Sequence, residues 1–268
     1  MEMVEKLTKL RKIAQKPNYR KIGNLMARYI TRDMALPLTW LLLHTPITAN
    51  QVTAFSIVIG IAGSLFFAVN CAFAYIFAAV LLQFWYLLDH VDGQIARYRK
   101  KESITGLFLD YIGHHLVHAL IPIGVGLGAY RVTGNIIWVI LSDAAAVGII
   151  LLNLLNDCRY KAYYGYLFKW KSFAVAGRAA EVEGLPAGRV KRLARYIFSY
   201  MHKFCEVHVM MNVVTALALA YPLFKDGPLY FTAFYAFMAP FVSISKLIYA
   251  AKKGSCDKDF AETFKRVE

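Results

Sequence analysis

Acidic residues are scarce in this chain. There are 17 Asp and Glu against 31 Lys and Arg in 268 residues, and charged side chains of both signs make up only 18%. With 58% hydrophobic and 15% aromatic residues beside them, so small a charged fraction excludes an ordinary soluble domain. The four cysteines, Cys71, Cys158, Cys205 and Cys256, are scattered and form no CxxC pair. That excludes a disulfide framework and a paired-thiolate metal site. The opening MEMVEKLTKLRKIAQ is charged and holds no apolar run, so insertion is expected to use the first internal hydrophobic span rather than a secretory leader. Internal repeats and low-complexity segments are missing too.

What is abundant is apolar sequence, with a mean hydropathy of +0.44. Charge-poor stretches recur near the roughly 20 residues that a membrane helix needs. They fall at 51–69, 72–88, 106–130, 132–156, 207–224 and 229–250. The expected fold is an all-α polytopic membrane protein with six transmembrane helices and a tight turn at Asn70–Cys71. Ahead of the first span, 19–44 mixes basic with apolar residues, and Ile22, Leu25, Met26, Tyr29 and Ile30 recur at helical spacing. This predicts an amphipathic helix lying in the interface. The division is then an N-terminal segment 1–44, a membrane domain 45–250 and a tail 251–268.

The net charge of +14 raises nucleic acid as a partner, but the placement of the cations argues against it. Lys and Arg number 9 in residues 1–33, 4 in 89–105, 10 in 157–206 and 5 in 251–268. All these segments lie on one side of a six-span topology, and only Arg131, Lys225 and the intramembrane Lys246 fall elsewhere. The positive-inside rule makes that side cytoplasmic, both termini included. The basic excess reads as topology and attraction to anionic lipids. The loop 157–206 is long, with Gly177, Gly184, Pro186 and Gly188 as breakers.

Costly polar groups concentrate in one stretch, DHVDGQIARYRKKESITGLFLDYIGHH, from Asp89 to His115. Asp89 and Asp92 are three apart and share a helix face, as do Asp110 and His114, four apart. A hairpin turning near Lys101 brings Asp92 and Asp110 to similar depth. Converging carboxylates repel unless a cation neutralises them, so Asp89, Asp92 and Asp110 outline a metal site. Oxygen ligands favour Mg²⁺ or Mn²⁺ over zinc. Any one such residue could be a solvated helix cap, but ionisable groups at membrane depth are expensive and point to function. Transport of an ion is a poor fit, because the three gather at one edge and leave no relay across the bilayer.

The spacing D-x2-D-G-x2-A-R-x8-G-x3-D-x3-D is the signature of the CDP-alcohol phosphotransferase family, and this chain resembles it at seven of eight positions: Asp89, Asp92, Gly93, Ala96, Arg97, Gly106 and Asp110. TPITANQVTAFSIVIGIAG, from Thr45 to Gly63, is similar to the family's first-span motif. The resemblance implies a membrane enzyme, paired as a homodimer, that displaces CMP from a CDP-linked alcohol by an acceptor hydroxyl on a lipid or polyol phosphate. It also implies Mg²⁺ or Mn²⁺ on Asp89, Asp92 and Asp110, and CDP contacts at Asn50, Gly93, Ala96, Arg97 and Gly106.

The eighth position departs: the family's last aspartate, its proposed base, is replaced here by His114, with His115 and His118 following. An imidazole, with an ordinary pKa of about 6.5, is a good proton acceptor at neutral pH. Three readings stand open: His114 as catalytic base, as metal ligand, or as the mark of a silent relative that binds CDP-lipid or a partner. The seven intact positions favour the base. His118 shares the face of Asp110 and His114, whereas His115 does not and is expected to pack. A phosphorylated acceptor would need cations, which Arg159, Lys161, Arg189, Lys191, Arg192 and Arg195 could supply, although AGRVKRLARY reads first as an interfacial helix. Asn153, Asn156 and Asp157 could reach the polar site, and Asp143 is expected to bond between helices.

Overall fold

A computed structural model of the protein describes residues 2–21, 23–69, 71–169, 173–175 and 189–266. Ile22, Asn70 and the breakers Gly177, Gly184, Pro186 and Gly188 lie outside the described residues. The chain begins with α1 (Glu2–Ala14), a helix not expected from the sequence, whose Leu10 and Ala14 bury against Leu36. Asn24 then opens the interfacial segment: its Oδ1 accepts the Ala27 amide at 2.8 Å, while its Nδ2 donates to the Tyr86 hydroxyl at 2.8 Å. A π-helical turn (Ala27–Thr31) leads into α2 (Arg32–Leu43). Small residues on this segment, Ala27, Thr31, Ala35 and Thr39, face inward at a spacing of four. Leu25, Tyr29, Ile30 and Met34 stay exposed. The apolar face read from the sequence is thus turned mainly outward, as an interfacial helix requires.

α3 (Ala49–Phe66) starts at a capping box in which Thr48 and Gln51 satisfy each other's backbone amides. α4 (Ala72–Arg99) and α5 (Ile104–Thr133) form the hairpin. α6 (Ile137–Leu167) returns, and α7 (Arg189–Phe204), α8 (Val207–Ala220), α9 (Gly227–Lys253) and α10 (Ser255–Thr263) follow. A short antiparallel ribbon, β1 (Phe173–Val175) with β2 (Phe264–Arg266), ties the tail to the segment after α6.

Among the described residues, five helices are long and apolar enough to cross a membrane: α3 with its extension to Val69, α4, α5, α6 and α9. The expected span at 207–224 is the exception. α8 has only 14 residues, about 21 Å at 1.5 Å per residue against about 30 Å of hydrocarbon. It completes a sixth crossing only together with the end of α7, from which it bends by 67°. Lys203 and Glu206 flank the bend, a charged interruption that a straight buried span would not tolerate.

α3 packs between α4 and α5, α5 on α6, and α6 on α9. Trp85, Tyr75, Tyr86, Tyr235, Met210 and Met211 fill the centre. Close approach depends on missing side chains, as is usual between membrane helices. A Cβ on Gly113 would fall 2.6 Å from Ile57, and one on Gly124 would strike the Ser64 carbonyl.

Candidate active site

α4 runs well past the apolar stretch seen in the sequence and carries Asp89 and Asp92 on continuous helix. It stops at Lys100, which sits in the left-handed region at φ 53°. The Lys100 and Lys101 amides close back on the carbonyls of Arg97 and Ala96, ending the helix as a glycine usually would. Three residues later Ser103 caps α5, its Oγ accepting the Gly106 amide at 3.0 Å. This tight reversal sets Asp110 beside Asp89. Arg99 braces it from outside, donating to the Ile47 and Thr45 carbonyls at 2.5 and 2.8 Å.

Asp89, Asp110 and His114 each offer a ligand atom, all within 4.8 Å of one another. His114 Nδ1 lies 3.1 Å from Asp110 Oδ1 and 3.0 Å from the Asp110 carbonyl. Nδ1 is therefore the protonated nitrogen, an assignment made from its two acceptors. Nε2 lies 3.7 Å from Asp89 Oδ1, too far for a hydrogen bond. The imidazole is edged by buried Trp85 and by His208, with ring centroids at 5.1 and 5.7 Å. The second Asp89 oxygen is 3.3 Å from His90 Nδ1. Asp92 stands outside this group of three; its Oδ2 accepts a 2.6 Å hydrogen bond from the Thr53 hydroxyl.

A cavity of about 1220 Å³ opens over the hairpin. Asn50, Asp89, Asp92, Gly93, Ala96, Arg97, Gly106 and Asp110 all line it. His114 does not; it lines a second, smaller cavity that shares Asp110 with the first. Two carboxylates and an imidazole at this spacing fit a divalent cation. Mn²⁺ accepts such a mixed set readily, and Mg²⁺ prefers more oxygen. Six cations also line the larger cavity: Lys16, Arg28, Arg32, Arg97, Lys101 and Lys203.

The glycines of the motif have local causes. A Cβ on Gly93 would lie 3.2 Å from Arg97 Nη1, so the guanidinium folds over the bare backbone while its Nε donates to the Ala14 carbonyl at 2.5 Å. A Cβ on Gly106 would lie 2.8 Å from Asn50 Oδ1, which is how α3 reaches the start of α5.

Other expectations change. His115 does more than pack: it is half-buried, and its Nε2 is 2.7 Å from Asp157 Oδ2, so Asp157 is taken by that pair. His118 is buried, with its Nδ1 accepting from Asn153 at 3.2 Å. Asp143 is exposed near the opposite end of α6 and lines neither cavity. Arg159 is held by Asp259 at 2.9 Å, and the side chains of Arg189, Lys191, Arg192 and Arg195 lie outside the described residues. Thr53, His90, His208 and Glu206 were missed. Thr53 was within reach, three residues after Asn50 on the same face. His208 and Glu206 arrive on α8 from far along the chain, with no local pattern to announce them.

These features define a membrane-embedded transferase of phosphate-containing groups, and the chain belongs to the CDP-alcohol phosphatidyltransferase family, whose sequence profile matches residues 46–221. Phosphatidylinositol phosphate synthase (PgsA1) of Mycobacterium tuberculosis with CDP-DAG bound is similar at a TM-score of 0.56. The two share 16% identity, over 83% of this chain and 94% of that one. The same enzyme in complex with manganese and citrate gives 0.55, with 18% identity over 81% and 89%. At such identities the likeness is one of fold. No curated protein matches the sequence.

Proposed function

We propose that the protein transfers a phospho-alcohol group from a CDP-linked alcohol to an acceptor hydroxyl and releases CMP, in phospholipid or related phosphodiester synthesis. The observation that carries this reading is the meeting of Asp89, Asp110 and His114 beside a cavity rimmed by six cations. The donor lies in that cavity. Arg97, folded over Gly93, is placed to meet its diphosphate, with Asn50, Ala96 and Gly106 shaping the nucleotide end. PgsA1 with CDP-DAG bound makes CDP-diacylglycerol the first donor to try.

Asp89 and Asp110 would hold a divalent cation, and Asp92, kept in place by Thr53 at the edge of the group, would be the third carboxylate toward it. Bound there, Mg²⁺ or Mn²⁺ would offset the diphosphate charge and stabilise the departing CMP. The chain's own chemistry is proton transfer. His114 donates through Nδ1 to Asp110 and accepts the acceptor's hydroxyl proton at Nε2. The acceptor oxygen then bonds to the phosphorus proximal to the alcohol, and CMP leaves with the electrons of the broken P–O bond. A second reading, His114 as third metal ligand, is favoured by the distances among the three donor atoms. A silent CDP-lipid-binding relative is the remaining alternative.

His114→Ala distinguishes them. Loss of a base lowers CMP release by about 10²–10⁴-fold and leaves Mn²⁺ affinity, read by electron paramagnetic resonance, unchanged. Loss of a ligand lowers both, and a silent relative releases no CMP before or after. The site and both termini face the cytoplasm on the evidence of the Lys and Arg distribution, with anionic lipids against the basic face. A homodimer is the expectation carried over from the family.

A further inference from the structure

Asp110, Glu206 and His208 line both cavities and form the seam between them. The second cavity, about 420 Å³, differs from the first in its chemistry. Six cations rim the first, whereas among the described residues no Lys or Arg lines the second. Its polar wall is imidazole and carboxamide: His118, Asn153, Asn156 and His202. The transferase reading above, on which this inference rests, needs the acceptor hydroxyl to reach His114 Nε2. His114 lines only the second cavity, so the acceptor approaches from that side, opposite the nucleotide.

We propose that the second cavity is the acceptor site and that it takes a small uncharged polyol, not a polyol phosphate. Its volume falls in the lower part of the range of about 300–1,000 Å³ found for small-molecule sites. A phosphate there would face the Asp110 and Glu206 carboxylates with no lining cation among the described residues to balance it. Lys246 does not line the cavity but contacts two residues that do. Its Nζ donates to Asn156 Oδ1 at 2.6 Å and lies 3.4 Å from His202 Nε2. It braces two wall residues in place of lining the space.

One imidazole nitrogen without a partner supports a hydroxyl-rich occupant. His118 is held at Nδ1 by Asn153, and its Nε2 is buried against the Cys205 backbone. His208 Nδ1, by contrast, is buried and has no partner among the described residues. Hydroxyls both donate and accept, so one polyol can satisfy groups of either kind. Phosphate oxygens only accept.

The test uses the full chain in nanodiscs with CDP-diacylglycerol and Mn²⁺, comparing CMP release with inositol and glycerol against inositol phosphate and glycerol phosphate. The neutral polyols are expected to react about tenfold faster or more, because the site's polar groups are matched only by them. Asn153→Ala should raise the polyol KM about tenfold, the loss of one buried hydrogen-bonding position, while the donor KM stays within about twofold. Faster release with the phosphate esters, or a rise in donor KM alone, overturns the neutral-acceptor site and leaves the transferase standing. Absence of CMP release with both classes of acceptor overturns the transferase reading and this inference with it.

Discussion

His114 has Asp110 on one nitrogen, while its other nitrogen stands 3.7 Å from Asp89 Oδ1 with no hydrogen bond, and the proposed base rests on this asymmetry. The sequence placed it on the right helix face, and seven further motif positions were legible because each lies in one hairpin, where helical periodicity fixes neighbours. Asp92 depends on a partner from another helix. Among the described residues, the side chain that donates to it is Thr53, at 2.6 Å. A hydrogen bond to a charged group is worth about 1.5–3 kcal/mol, so Thr53→Val should weaken Mn²⁺ binding by about ten- to a hundredfold, read by titration. Unchanged affinity would remove Asp92 from the metal site. Glu206 and His208 stayed hidden for the opposite reason: they reach the site through tertiary packing alone, and nothing near them in the chain marks them.

At the scale of elements, the hairpin of α4 and α5 was readable because polar residues and apolar runs alternate sharply there. Its sharp turn was not, since a lysine rather than a glycine takes the left-handed position at Lys100. The α7–α8 bend was hidden as well. Hydropathy sees 207–224 as apolar but has no means of showing that α8 ends at Ala220. Helix contacts make their own prediction. Gly124 lies against the Ser64 backbone with no room for a Cβ. Gly124→Val should part α5 from the end of α3 and lower the melting temperature in detergent, with a cost of about 1–3 kcal/mol from overpacking. A variant that melts with the parent would show that these helices are not packed as described.

For the whole molecule, orientation can be tested with the protein's own thiols. Cys71, at the start of α4, and Cys158, near the end of α6, are both exposed and belong to opposite ends of the bundle. In intact cells a membrane-impermeant maleimide should label Cys71 and spare Cys158, and inverted vesicles should reverse the pattern. The reverse labelling would place the site outside. The orientation expected from the sequence rests on 28 of 31 basic residues falling in alternate loops; the two cavities were not legible, because the first joins the N-terminal segment to α3, α4, α5 and α8, and the second joins α5 to α6 and α8. The central claim is that Asp89 and Asp110 would gather a cation that makes CMP a leaving group. Its most direct test is CMP release from CDP-diacylglycerol with neutral polyol, measured for the parent and for Asp89→Asn with Mn²⁺ and after chelation. The account predicts steady release by the parent with Mn²⁺, none after chelation, and recovery on adding the ion back, while Asp89→Asn stays inactive throughout. Release that survives chelation, or that Asp89→Asn supports at the parental rate, would contradict it.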